Sequence, residues 1–377
     1  MTHYLDNAAT TAVRPAALEV MVPLLSEGYG NPSGAHRMAR AANRVLDDAR
    51  ETMAEVLGAE AGQIVFTAGG TEADNLAVRG VVEHRGGIPV CSSIEHHAVL
   101  DPVEHHGGRV VPVTAAGLID LEALAATLTE LGDQVSLVSV MLANNETGMV
   151  QPFAEVAALV RELTPNALLH TDAVQALCWL DVATTAADAD LISVSAHKFG
   201  GPKGVGALVV RDRAEPSPLL RGGGQERGRR GGTHNVAGIA AMAAAAAGTV
   251  AERPVAVPRV AALRDRLADS LLAAVNGAVE TGQRQDKTAN ICHLCFDGIE
   301  SEALLFLLER DDIMASAASS CSSGAMEPSH VLSAMGVDRE LAFGSLRLSL
   351  GYDSADADVD AVLASVPAAV ARLRERA

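Results

Sequence analysis

From about residue 37 to residue 210 the apolar positions switch repeatedly between two spacings, which predicts alternating helices and strands. Val45, Ala49, Met53 and Val56 recur every three or four residues, the repeat of a helix that buries one face. The run Gln63-Ile-Val-Phe-Thr67 is short and continuous, the form of a strand covered on both sides. A helix is expected from about Thr71, where Thr71-x-x-Asp74 has the form of a capping box. Further apolar runs predict strands near 89–92, 110–113, 135–142, 167–170, 191–195 and 205–210. Strands alternating with helices imply an α/β fold with a mainly parallel sheet covered on both faces. Ligands of such sheets sit in loops at the carboxyl ends of the strands, so chemistry is sought there.

The segment 221–233 breaks the pattern, because its glycines disfavour helix and strand while its arginines cluster. It reads either as a linker or as a backbone-rich anion site. A helix follows to about Val250, with an alanine run at 240–247 that reads as buried, and a second domain is expected from about Pro254.

Composition narrows the class. The chain has 377 residues, 49% hydrophobic and 20% charged, which suits a packed globular protein of one large and one smaller domain. Only 3% are aromatic, so Ala, Val and Leu must fill the core. A net charge of −18 argues against a nucleic-acid groove, which needs a basic face, though it could attract a basic partner protein. No uncharged apolar stretch reaches membrane-spanning length, and the first residues lack a basic segment followed by an apolar one. Five cysteines without framework spacing suit reduced thiols, so a cytoplasmic location is expected.

Several predicted strand ends carry chemistry. Lys198 follows one strand and precedes a glycine-rich turn; a buried amine there could react with an aldehyde cofactor. Asp172 ends another and could pair with a protonated pyridine nitrogen, with Gln175 donating to a phenolic oxygen. Gly69-Gly70-Thr71 offers free backbone N–H groups and a hydroxyl to a phosphate. His96 or His97 could lie flat against a ring. Each has a plain alternative: a surface lysine, a helix N-cap, an ordinary helix start, a satisfied polar histidine.

Seven strings change the balance: Tyr4-Leu-Asp-Asn-Ala-Ala-Thr-Thr11, Gly30-Asn-Pro-Ser33, Phe66-Thr-Ala-Gly-Gly-Thr-Glu72, Glu95-His-His-Ala-Val-Leu100, Asn144-Asn-Glu-Thr-Gly148, His197-Lys198 and Gly222-Gly-Gly-Gln-Glu-Arg227. Together, in order from residue 4 to about 352, they resemble those of cysteine desulfurases, enzymes of the class V aminotransferase group with fold-type I. The resemblance implies a large domain at 16–250 with a mainly parallel seven-stranded sheet in an α/β/α arrangement. It also implies a smaller α+β domain from 1–15 and 251–377, bearing a mobile cysteine loop at about 316–330.

It further implies pyridoxal 5′-phosphate tethered by Lys198, with His96 stacked on the ring and Asp172 facing the pyridine nitrogen. Asn145 and Gln175 would contact the cofactor's edge, and Gly70, Thr71, Ser195 and His197 would hold the phosphate. Thr233 of a second copy would complete that cradle, so a homodimer is implied and 221–233 becomes a dimer element. Arg347 would clamp the carboxylate of the substrate, L-cysteine, with Asn145 nearby.

Cys321 lies in a stretch of small polar residues, 319–330, that reads as a mobile loop. Its Cys-x-x-x-x-x-Glu-Pro-Ser-His context resembles the longer-looped type that feeds iron–sulfur assembly. The resemblance makes Cys321 the nucleophile that takes sulfur from cysteine as a persulfide, leaving alanine, and passes it to an acceptor protein. It would be at most a transient iron–sulfur ligand, and no resident metal is implied. Cys292-x-x-Cys295 has zinc-like or redox-like spacing but sits in a predicted strand, where residues three apart face opposite sides. Core filling is the reading there, and Cys91 and Cys178 are expected to be buried too. Rival readings are selenocysteine cleavage or transamination on the same fold, or a non-catalytic sulfur-transfer scaffold.

Overall fold

The computed structural model describes residues 2–317 and 328–375. Its centre is a seven-stranded sheet. In spatial order the strands are Ile64–Thr67, Gly206–Val210, Leu191–Ser195, Leu168–Asp172, Val135–Ser139, Ile88–Ser92 and Arg109–Val111. Gly206–Val210 runs antiparallel to both neighbours, and the remaining pairs are parallel. Alternate residues of one strand feed different cores: Ile64 and Phe66 join one cluster and Val65 the other. That alternation is why the sequence showed continuous apolar runs instead of a polar–apolar rhythm.

The helix Arg37–Leu57 shows how the outer layer is specified. Ala39, Ala42, Leu46, Ala49, Met53 and Val56 are buried at intervals of three or four. His36 caps its start by accepting from the Ala39 N–H, and Gly58 ends it at φ 62°, which a side chain would resist. Each large apolar side chain removed from water contributes about 1.5–3 kcal/mol, so Met53→Asp would detach this helix.

A separate apolar cluster lies around a three-stranded antiparallel sheet, Ser345–Ser349, Ile291–Phe296 and Ala278–Glu280. Leu5 belongs to this second cluster while Ala17 belongs to the first. The helix Val236–Ala274 joins them: Ile239–Ala246 pack into the first core and Val260–Leu271 into the second. The expected boundary near 250 thus falls within one unbroken helix, which passes Pro254 and Pro258. The short strand pair His3–Tyr4 and Ile313–Met314 ties the N-terminus to this region. No helix among the described residues is long and apolar enough to cross a membrane.

Two local expectations need correction. The helix after the first strand is Gly70–Arg85, with Gly69 at its N-cap and no side-chain cap bond, so Thr71 and Asp74 form no capping box. Starting one residue before Thr71 turns Asp74 inward, where it is buried. Cys178 is only partly buried, although Cys91, Cys292 and Cys295 are fully so.

Candidate active site

The carboxyl ends of the strands open into a cavity of about 370 Å³. Lys198 follows Leu191–Ser195 in a single turn of 3-10 helix, Ala196–Lys198. Its Nζ donates to Ala8 O at 2.5 Å and Ala9 O at 2.9 Å. Burial, helped by the nearby Arg347 charge, lowers the amine to about 8. No carboxylate among the described residues forms an ion pair with it, although Asp172 and Asp6 oppose the shift at longer range.

Asp172 ends the neighbouring strand. Its Oδ1 accepts the Val174 N–H at 2.8 Å, closing a turn like the N-cap alternative, yet its carboxyl still lines the cavity. Burial raises its pKa, opposed by that N–H and by His96 and Lys198. His96 precedes the helix His97–His105. Its Nδ1 accepts from the Ala98 N–H at 3.0 Å, which leaves the ring proton on Nε2. Burial lowers its pKa, so the neutral ring is favoured.

The remaining expected residues converge here as well. Gly70, Thr71, Asn145, Gln175, Ser195, His197 and Arg347 all line the cavity. A Cβ on Gly70 would stand 2.8 Å from Val174 Cγ2, so only glycine lets the helix start approach the strand end this closely. Arg347 lies on Ser345–Ser349; its guanidinium donates to Asn145 O at 2.9 Å and meets Asp6 Oδ1 at 2.7 Å, while Nε is buried and unpaired. His197, lowered to about 4 by burial and by Lys198, contacts Thr10 Oγ1 at 3.2 Å.

Of the other expected residues, one lies elsewhere and one lies outside the described residues. Thr233 is exposed and does not line it in its own chain. Cys321 lies outside the described residues, as does most of the 316–330 segment named with it. Ser316, at its near edge, does line the cavity.

Sequence reasoning missed several contributors. Ala8 and Ala9 hold the lysine through their carbonyls, and no side-chain signal could have shown it. Asp74 lines the cavity, disguised in the sequence as a cap. Glu95 is buried and raised to about 8 by burial, although Ser92 Oγ and the Met141 N–H donate to it. Glu226 anchors the arginine-rich loop: Arg50 grips it with two nitrogens at 2.9 and 2.8 Å, His234 contacts it at 2.7 Å, and the Phe66 N–H donates to it. Residues 226 and 227 have positive φ, and the buried ion pair holds that unfavourable backbone in place. The loop is therefore built, not a slack linker.

Cys292 and Cys295 sit on the strand Ile291–Phe296 and join different apolar clusters, so they face opposite sides as expected. Burial pushes both thiols to about 12. No group of three or more His, Cys, Asp and Glu able to hold a metal ion occurs among the described residues.

The residues fit pyridoxal 5′-phosphate as a set. Burial lowers the basicity of the amine, and the carboxyl lies one strand away from it. A helix N-terminus with hydroxyls suits a phosphate. Gln175 Oε1 is buried without a partner, an amide placed for a group yet to arrive.

Fold and cavity define an enzyme class, and residues 3–362 match the family model for Aminotransferase class-V; the chain belongs to that family, whose members depend on pyridoxal phosphate. Within it, the chain stands among the cysteine desulfurases. It is 45% identical to the "IscS-like cysteine desulfurase" of Mycobacterium tuberculosis, covering 99% of this chain and 98% of that protein. It is 41% identical to "Cysteine desulfurase IscS" of Methanosarcina thermophila, covering 98% and 92%. Among solved structures, a "NifS-like protein" superposes with a TM-score of 0.91 at 36% identity, covering 99% of this chain and all of that one. A structure titled "SspA in complex with cysteine" superposes at 0.79 and 32% identity, covering 93% and 99%.

Proposed function

We propose that this enzyme removes sulfur from L-cysteine, releasing L-alanine and leaving a persulfide on Cys321. Lys198 tethers pyridoxal 5′-phosphate, Asp172 faces its pyridine nitrogen, and His96, Asn145 and Gln175 contact its ring and edge. Gly70, Thr71, Ser195 and His197 hold the phosphate, and Thr233 of a second copy completes the cradle. One observation carries the reading: Lys198 Nζ reaches the cavity with lowered basicity and no carboxylate clamp among the described residues.

When bound, the coenzyme supplies an electron sink for the pair left as the substrate's Cα–H bond breaks. Arg347 orients the substrate carboxylate, for which its buried, unpaired Nε is a ready donor. Lys198, neutral above about pH 8, takes the alpha proton at Nζ. The Cys321 thiolate attacks the substrate sulfur: the S–S bond forms as the Cβ–S bond breaks. The electron pair of that broken bond remains on carbon, where a proton delivered through His96 Nε2 completes the methyl group, and Lys198 Nζ returns its proton to Cα to give alanine. The persulfide is then passed to an acceptor protein for iron–sulfur assembly or thiolation. The unpaired thiols Cys91, Cys178, Cys292 and Cys295 suit the reducing cytoplasm.

Cys321→Ala is the test. The variant is expected to keep the yellow coenzyme and lose sulfide release from cysteine in the presence of a thiol. Undiminished release with coenzyme bound would refute the assignment.

A further inference from the structure

Behind Asp172 lies a chain of buried polar groups that the reaction above does not use. Ser139 Oγ bonds His170 Nδ1 at 2.8 Å, and His170 Nε2 bonds Ser193 Oγ at 3.0 Å. His170 and Asp172 sit two apart on Leu168–Asp172 and so share a face, while Ser193 is the register partner of Asp172 on the next strand. Asp74, one turn into the helix Gly70–Arg85, reaches the same place from the other side. Its Oδ1 is fully buried, stands 3.7 Å from His170 Nε2 and has no hydrogen-bond partner. The residue nevertheless lines the cavity next to Asp172.

A buried carboxyl oxygen without a partner costs the fold stability, so its presence calls for a compensating role. Two carboxyls buried beside one cavity each disfavour the other's charge. Their surroundings decide which one is charged. Asp172 accepts a backbone N–H and lies near His96 and Lys198, all of which favour its anion. Asp74 is pushed well up by burial and by the Asp172 charge, with Glu95 adding to the push and only the Ser193 hydroxyl opposing it. His170, lowered to about 3 by burial, gives no cation to pair with.

We propose that Asp74 is a positioning residue of the coenzyme site, a neutral acid that keeps Asp172 the one anion facing the coenzyme. Its proton makes it a further donor beside Asp172, and the Ser193–His170–Ser139 chain holds it there. The inference rests on this cavity being the pyridoxal phosphate site.

Stability and coenzyme affinity should therefore move independently. Coenzyme is removed from wild type, Asp74→Ala and Asp74→Asn, and each apoprotein is melted and titrated with pyridoxal 5′-phosphate. The alanine apoprotein is expected to melt no lower than wild type, because it loses a buried carboxyl with one unpartnered oxygen from a helix that favours alanine. Its coenzyme Kd is expected to rise on the order of tenfold. Asparagine, neutral and still a donor, should restore affinity to within about threefold of wild type. Equal affinity of the alanine variant and wild type would overturn the proposal, as would a lowered melt in that variant or an asparagine variant as weak as alanine. Failure of wild type itself to bind would overturn the functional reading as well, so the two failures are told apart.

Discussion

The chain contains three lysines, Lys198, Lys203 and Lys287, and two of them are buried at opposite ends of the chemistry. Lys287 lies beside the strand Ala278–Glu280, its ammonium 3.0 Å from Glu280, which Arg284 also grips at 2.6 Å. Lys198 lies at the cavity, bonded among the described residues to backbone carbonyls alone. Burial lowers both amines. In Lys287 the carboxylate opposes that shift and occupies the donors, so the charge is structural. In Lys198 nothing as close opposes it, and the amine is left basic enough to react yet neutral enough to be a nucleophile. Burial alone does not make a reactive lysine; burial without a carboxylate, facing space, does.

Exchanging the roles of these two residues should break the comparison most sharply. Lys198→Ala is expected to abolish the visible absorption of the coenzyme and lower desulfuration about 10³-fold, measured by alanine formation. The pH dependence comes next in size. The nucleophile is the neutral amine, so the rate at which apoprotein gains visible absorption on adding pyridoxal phosphate should rise with pH and level off above about 8. An ordinary lysine would keep rising toward about 10.4, so at pH 8 the expected advantage is about 10². Arg347→Gln should leave the absorption intact and reduce kcat/KM for cysteine about 10–100-fold, mainly through KM. Lys287→Met should leave spectrum and turnover unchanged and cost about 1–3 kcal/mol in urea unfolding, because Glu280 keeps Arg284. A changed spectrum in that last variant would blur the contrast.

Much of this was legible before any coordinates. The strands ending at Thr67, Asp172 and Ser195 announced themselves because a sheet covered on both faces needs unbroken apolar runs, and the chemistry sat where such strands end. Ten of the expected cofactor and substrate residues meet in one cavity for that reason. Asp74 was misread because a polar residue at a helix start is ambiguous: whether it caps or faces inward depends on where the helix begins, and the N-cap here is Gly69, two residues before Thr71. The carbonyls of Ala8 and Ala9 were invisible because they are backbone, just past the pairing of His3–Tyr4 with Ile313–Met314. Glu226 was hidden in a loop whose glycines suggested slackness, since its partner Arg50 is far away in sequence. Long-range polar pairing leaves no local pattern to read.

The most direct test of the central claim is to trap the coenzyme on its amine. Reducing the yellow protein with borohydride makes the link permanent, and peptide mapping by mass spectrometry then locates it among only three lysines. The account predicts pyridoxyl mass on Lys198 alone; mass on Lys203 or Lys287, or on no lysine, would contradict it.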